Sequence, residues 1–419
     1  MALSTELSGV QAAQTDIDTI GNNISNINTV GFKESVANFA DLYGSSLQGA
    51  SGNTATPGQG VTTSSLSQLF SEGTITQTGN PLDISINGNG FFQIQTSSGA
   101  AYSRDGAFQL SQNGNLITDS GAMLMGYAAS AATSGAGGAT SSGFLAPIQV
   151  NESNIAPTAT QNLNMDVNLP ASDAAIDTTA VPFSLSNAAS YNESTTTTVY
   201  DSLGVSNTFT TYFTKASGSG SPPEWQTHYA LNDSSGNLIA SGSGPTMTFN
   251  SAGTLTAGTG AITVAALPDG AAPLTFNLNF TGSSLSNVAF GVNALNNDGN
   301  GGGQFTGVTI GSNGQVTGQY SNGDTKVFGT IALANFANPQ GLIAVSDNMW
   351  LPSTSSGLPT TGTPGSAGLG NLESATLEGS NVDLSSQLVN LIVAQQAYQA
   401  NVQGINVEQQ DIQRLLTIQ

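Results

Sequence analysis

The stretch LSSQLVNLIVAQQAYQANVQGINVEQQDIQRLL, residues 384–416, decides the fold. Leu384, Leu388, Leu391, Gln395, Tyr398, Val402, Ile405, Gln409, Ile412 and Leu416 recur in alternating steps of four and three, and no proline interrupts them. That is the a/d heptad that buries a narrow seam between helices. The opposite end carries the same rhythm at Leu3, Leu7, Val10, Gln14, Ile17, Gly21 and Ile24. Two amphipathic helices could each pack on a globular core. However, the chain between them is β-rich, so seams at both termini pair more naturally with each other or with another copy. Gln14, Gln395 and Gln409 on the seam fit a polar device that sets register at some cost in stability.

The N-terminal run leads into GNNISNINTVGFK, residues 21–33. Asparagine favours caps and turns over helix interiors. Ile24 nevertheless continues the seam, so the helix is expected to end around residues 26–29, with Gly31 and Phe32 turning the chain toward the β layers. Lys33 is read as an exposed charge.

Working inward, residues 44–69 and 353–370 are rich in Gly, Ser and Thr and read as linkers. In PLDISINGNGFFQIQ the residues Leu82, Ile84 and Ile86 alternate before Asn87-Gly88-Asn89-Gly90, a hairpin signal. SQNGNLITDSG repeats that theme, and residues 307–336 show the same rhythm with turns at Asn313-Gly314 and Asn322-Gly323. Residues 70–145 and 286–352 would therefore form one β domain from sequence-distant halves. An inserted outer β domain, 146–285, would include two strands in TTTTVYDSLGVSNTFTTYFT around a turn at residues 202–206. An Ala/Ser/Gly tract at 128–143 marks the entry to it. The terminal helical domain would combine 1–43 and 371–419. The fold class is mainly β with paired N- and C-terminal α-helices, nested as a coiled-coil terminal domain and two β-rich domains.

Composition narrows the chemistry. Among 419 residues, Lys+Arg number 5 and Asp+Glu 26, a net charge of -21, so nucleic acid and anionic membrane surfaces are excluded as partners. Cys 0 removes disulfides, thiol catalysis and cysteine zinc sites. No window is apolar enough for a membrane span, and the N-terminus has neither a basic n-region nor an apolar h-region. His228 is the single histidine, in the strand-like WQTHYAL, and no G-x-S-x-G elbow accompanies it. NNDGNGGGQFTG, 296–307, begins like a calcium loop, but its twelfth position is Gly307 where a bidentate Glu is needed. It reads as a flexible loop with at most adventitious calcium. No P-loop or dinucleotide fingerprint occurs. Phe91, Phe92, Phe108, Tyr127, Phe328 and Phe336 sit in strand-like runs and read as core. No catalytic, cofactor or metal site emerges.

Three motifs, in order, resemble a known family. SGVQAAQTDIDTIGNNISNINTVGFK resembles the N-terminal signature of the bacterial flagellar rod and hook axial proteins. TGNPLDISINGNGFFQI followed by YSRDGAFQLSQNGNLITDSGAMLMGY resembles their shared β signature, and LEGSNVDLSSQLVNLIVAQQAYQAN their C-terminal helix. VPFSLSNAASYNESTTTTVYDSLG and IALANFANPQGLIAVSDNMW look like the hook-forming branch, whose inserted β unit the shorter rod subunits lack. The tract at 128–143 and much of the insertion depart from closer relatives.

The resemblance implies a non-enzymatic subunit of a homopolymeric helical tube, the curved universal joint that couples rod to filament and transmits torque. It also implies paired terminal helices innermost in the tube. Implied partners are further copies, the rod, hook-cap and hook–filament junction proteins, and the type III export apparatus. The implied place is extracellular, on the flagellum, reached without a cleaved signal peptide. Leu3, Leu7, Val10, Ile17, Ile24, Leu384, Leu388, Leu391, Tyr398, Val402, Ile405, Ile412 and Leu416 are expected to carry the assembly contacts. The terminal segments are expected to gain order on polymerisation. A distal rod subunit and a secreted β-rich glycan hydrolase are the alternatives.

Overall fold

The computed structural model describes residues 2–42, 59–129, 141–216 and 224–417. The tract at 128–143 and the first expected linker therefore lie largely outside the described residues. Helix α1, Ala2–Ser25, and helix α2, Leu384–Thr417, flank a chain of short strands. The expected mainly β fold with paired terminal helices is found.

Strand Ser35–Asp41 follows α1 and pairs antiparallel with Val61–Gln68. Part of the expected first linker is thus a hairpin arm. The inner β domain joins both flanks in one sheet. Met123–Ala129 takes Thr325–Ile331 as a neighbour, Phe91–Thr96 takes Leu333–Asn335, and Gly99–Ser103 takes Met349–Leu351. Its core holds Ile84, Ile86, Phe92, Ile94, Phe108, Leu116, Leu124, Val316, Ile331 and Leu333. Phe91, Tyr102, Phe336 and Trp350 form a second aromatic cluster on its border. Tyr127 and Phe328 are only partly buried.

In the outer unit, Asn162–Pro170 pairs in parallel with Leu274–Asn279 and Ser284–Ser286 and antiparallel with Gly291–Asn297. Glu193–Tyr200, Ser206–Lys215, Trp225–Asn232 and Leu238–Ser243 form an antiparallel meander. Alternating inward residues of these strands share one core, including Met165, Phe209, Phe213, Trp225, Phe276 and Phe280.

Four expectations change. Asn87-Gly88-Asn89-Gly90 does not close a hairpin: Ile84–Asn87 pairs with Asn371–Ser374, and Phe91–Thr96 enters the large sheet. Gly88 and Gly90 have φ of 108° and 128°, and the stretch steps the chain from one sheet to another. The strand on each side of the stretch is paired with other strands, which leaves no local pair. By contrast, the Asn313-Gly314 and Asn322-Gly323 turns do join paired strands. Residues 353–370 are not a free linker, because Thr360–Gly362 pairs with Leu333–Asn335 and Ser356 and Leu369 are buried. Ile148 and Val150 belong to the inner core, whereas Gly291–Asn297 belongs to the outer sheet, so the insertion starts and ends later than expected.

Candidate assembly surface

The helix pair is built mainly on small and polar residues, with Ile20 the one large apolar side chain buried among the described residues of the two helices. Buried on α1 are Ala12, Ala13, Thr19, Ile20 and Asn23, and on α2 Gln387 and Ala394. A Cβ on Gly9 would stand 2.9 Å from the Asn401 side chain, and one on Gly404 would stand 2.7 Å from the Glu6 carboxyl. The two backbones therefore approach closely along a strip of glycine and alanine. Asp383 starts α2: its carboxylate accepts from the Ser386 N–H at 3.0 Å and its carbonyl from the Gln387 N–H. This satisfies donors that a helix start leaves open.

The heptad residues do not form the centre of this contact. Val10, Ile17, Ile24, Leu391, Tyr398, Val402 and Ile405 are half-buried, while Leu7, Leu384, Leu388 and Ile412 are exposed. Leu3 and Leu416 lie in the helices, with side chains outside the described residues. Gln14, expected on the seam, instead faces outward and donates to Asp18 at 2.8 Å. The intrachain contact is rotated from the heptad because a glycine–alanine strip admits the second helix more closely than leucines would.

An exposed apolar face results. Val389, Ile392 and Val393 of α2 are 60%, 54% and 58% exposed, beside Leu384 and Leu388. The hairpin that leaves α1 adds Val36, Phe39, Leu42, Leu66 and Leu69, all exposed. Val389, Ile392 and Val393 fall outside the heptad positions. The signal was the density of apolar residues in LVNLIV, residues 388–393, which is more than one narrow seam can use. A cleft of about 140 Å³ lies where α1, the first hairpin strand and α2 meet, lined in part by Asp16, Asn23, Gln387 and Val393. Burial there raises the Asp16 carboxyl above its ordinary pKa.

Where the helices join the β domain, the largest correction appears. Lys33 is 1% exposed, and its Nζ lies 2.5 Å from Glu378 Oε1 and donates to the Ser71 carbonyl at 2.8 Å. Arg104 Nη1 donates to Glu378 Oε2 at 3.0 Å and to the Ile86 carbonyl, and its Nη2 donates to the Gly88 carbonyl. Burial lowers the Lys33 pKa, against the attraction of Glu378, which raises it. Asn23 exchanges two hydrogen bonds with the Ser35 backbone, as a neighbouring strand would. Gln387 donates to Glu34 at 2.8 Å, and Asn381 accepts from the Glu34 N–H at 2.7 Å. The helix ends at Ser25, close to the expected place, and Gly31 turns at φ 67°.

The remaining polar candidates have structural partners. His228 stacks on Phe183 at 4.1 Å and an interplanar angle of 4°. In the 296–307 loop, the Asp298 carboxylate accepts from the backbone N–H groups of Gln161 and Asn162 and from Asn162 Nδ2. Burial pushes this carboxyl up, but those hydrogen bonds outweigh it and hold it below its usual range. Among the described residues, no group of three His, Cys, Asp or Glu side chains is arranged to hold a metal, and no helix is long and apolar enough to cross a membrane.

Comparison with known proteins agrees with this architecture segment by segment. Residues 3–33 match the family model of flagella basal body rod proteins, and 373–418 that of the C-terminal region of flagellar basal body rod FlgEFG proteins. Residues 85–178 match the D1 domain of flagellar hook protein FlgE/F/G, and 162–300 the D2 domain of flagellar basal body protein FlaE. The chain is 39% identical to the flagellar hook protein FlgE of Escherichia coli (strain K12) over 423 residues and 38% identical to that of Salmonella typhimurium over 422, covering 100% of each chain in both cases. The crystal structure of Helicobacter pylori flagellar hook protein FlgE2 shares the fold with a TM-score of 0.56 at 15% identity, covering 72% of this chain and 100% of that one. With its terminal helices, nested β units and full-length relatives in agreement, the chain belongs to the flagellar hook protein FlgE family.

Proposed function

We propose that this chain is the structural subunit of a bacterial flagellar hook, polymerising into a curved, flexible tube that couples rod to filament and transmits torque. The observation that carries this reading is the apolar face formed by Leu388, Val389, Ile392 and Val393, left open beside a helix pair held together by glycine, alanine and polar residues. Monomers rarely keep such a face in water. A second copy of the chain covers it, through a contact between unlike surfaces that propagates as an open helix. Leu7, Leu384, Leu388 and Ile412 then carry contacts between subunits, and Leu391, Tyr398, Val402 and Ile405 border both contacts.

The subunit has no enzymatic role and leaves the cell through the flagellar export apparatus. It meets rod, hook-cap and hook–filament junction proteins at the ends of the tube. The low charge density, 7% of residues, suits subunits that slide past one another, because few ion pairs fix a single register. Electron microscopy of the purified chain under polymerising conditions tests the reading. Tubes are expected, and persistent monodisperse monomers would overturn it.

A further inference from the structure

Glu378 stands where four separated stretches of chain converge. Its carboxylate takes Lys33 from the segment leaving α1, the Gly73 N–H from the segment after the hairpin, and Arg104 from the inner β domain. Its backbone carbonyl accepts from the Gly31 N–H at 2.8 Å. Glu378 itself lies in strand Thr376–Glu378, which leads toward α2. The Glu378 side chain is 0% exposed and its two cationic partners 0% and 5%. Further ties surround it: Asn348 Nδ2 donates to the Val30 carbonyl, and Asn381 Nδ2 donates to the Leu69 carbonyl.

We propose that the Lys33–Glu378–Arg104 cluster is a conformational lock that fixes the direction in which both terminal arms leave the inner β domain, and that it closes only when both arms are docked together. Removing the carboxylate that two buried cations share leaves both uncompensated in a low dielectric, so the state that lacks Glu378 is strongly disfavoured. Arg104 belongs to the β domain, Lys33 to the N-terminal arm and Glu378 to the C-terminal arm. Undocking the C-terminal arm alone strands Lys33 and Arg104 without their carboxylate, and undocking the N-terminal arm alone takes the Lys33 ammonium and the Gly31 N–H away from Glu378, so each arm holds the other in place. The hydrogen bonds of Arg104 to the Ile86 and Gly88 carbonyls hold its guanidinium in place inside the β domain. The cluster is thus anchored in the domain and completed by the arms.

The chain has Cys 0, so two introduced cysteines can be spin-labelled without background. Labels at Ser97→Cys, on an exposed hairpin tip of the β domain, and Ser385→Cys, in the first turn of α2, report the arm direction in dilute monomer, independently of tube formation. A single narrow distance is expected in the parent chain, and a broadened one in Glu378→Gln and Lys33→Met. Lys33→Met removes the N-terminal arm's tie to Glu378 and to the Ser71 carbonyl while the Glu378–Arg104 pair stays balanced, so it carries the test if Glu378→Gln fails to fold. In Lys33→Met, amide exchange is expected to rise by about tenfold or more at 24–35 and at 376–382 together, with the inner β core still protected. A narrow distance in Lys33→Met, faster exchange in only one arm, or loss of the β core in that variant would each overturn the proposal.

Discussion

At Gly31 the backbone takes φ 67°, and an added Cβ would lie 2.6 Å from the Asp105 backbone nitrogen. Both the left-handed conformation and the close approach require glycine. Gly31→Ala is expected to cost roughly 2–3 kcal/mol, read as a lower urea midpoint for the inner domain. His228 offers a test by pH. Burial holds its pKa below the ordinary 6.5. Below that pH the unfolded chain binds a proton that the folded chain refuses, so stability falls as pH drops from about 6.5 toward the depressed folded value and is flat below it. Thermal unfolding of the outer domain is expected to show that slope, and His228→Gln is expected to remove it. Sequence placed His228 in a strand correctly but gave no hint of the Phe183 ring stacked on it, because Phe183 is distant in the chain and comes from a loop.

Among elements, α2 carries the sharpest consequence. Its exposed residues contribute little to the monomer, so Ile392→Asp and Val393→Asp are expected to change monomer unfolding by no more than about 0.5–1 kcal/mol. The same changes are expected to abolish polymerisation, because an unpaired carboxylate cannot be buried in an apolar contact without heavy cost. Sedimentation and circular dichroism together separate the two effects. Both helices were legible from periodicity, and their extents follow from the absence of proline and from Asp383 at the start of α2. Which face meets the partner helix was not legible. Heptad logic ranks leucine and isoleucine as seam residues, whereas Gly9, Ala12, Ala13, Ala394 and Gly404 set the intrachain approach.

For the whole molecule, a net charge of -21 makes copies repel one another at distance. Screening shortens that repulsion from about 30 Å at 0.01 M ionic strength to about 8 Å at 0.15 M. Polymerisation measured by light scattering is therefore expected to quicken over that range of salt; slowing with salt would mean that attractive ion pairs dominate assembly. The short repulsion range matters because the apolar face must come into contact before burial can offset the charge. Much of the nested order was visible in the sequence, since turn residues and alternation mark the strands locally. Its boundaries were not, because Gly291–Asn297 and Asn162–Pro170 choose each other as sheet neighbours over more than a hundred residues of intervening chain.

Local pattern determined what the sequence alone could determine: helices at both ends, β structure between them, the absence of cysteine chemistry, and the family resemblance of three motifs. These depend on periodicity, turn chemistry and composition, which act over a few residues. The tertiary structure decided the rest. It turned Asn87-Gly88-Asn89-Gly90 from a hairpin into a step between sheets, and it rotated the helix contact onto small residues. It also placed Lys33 against a glutamate 345 residues away in sequence. A lone lysine after a helix carries no signal of burial. Only the convergence of four chain segments removes it from water and supplies the carboxylate and carbonyl that keep it there.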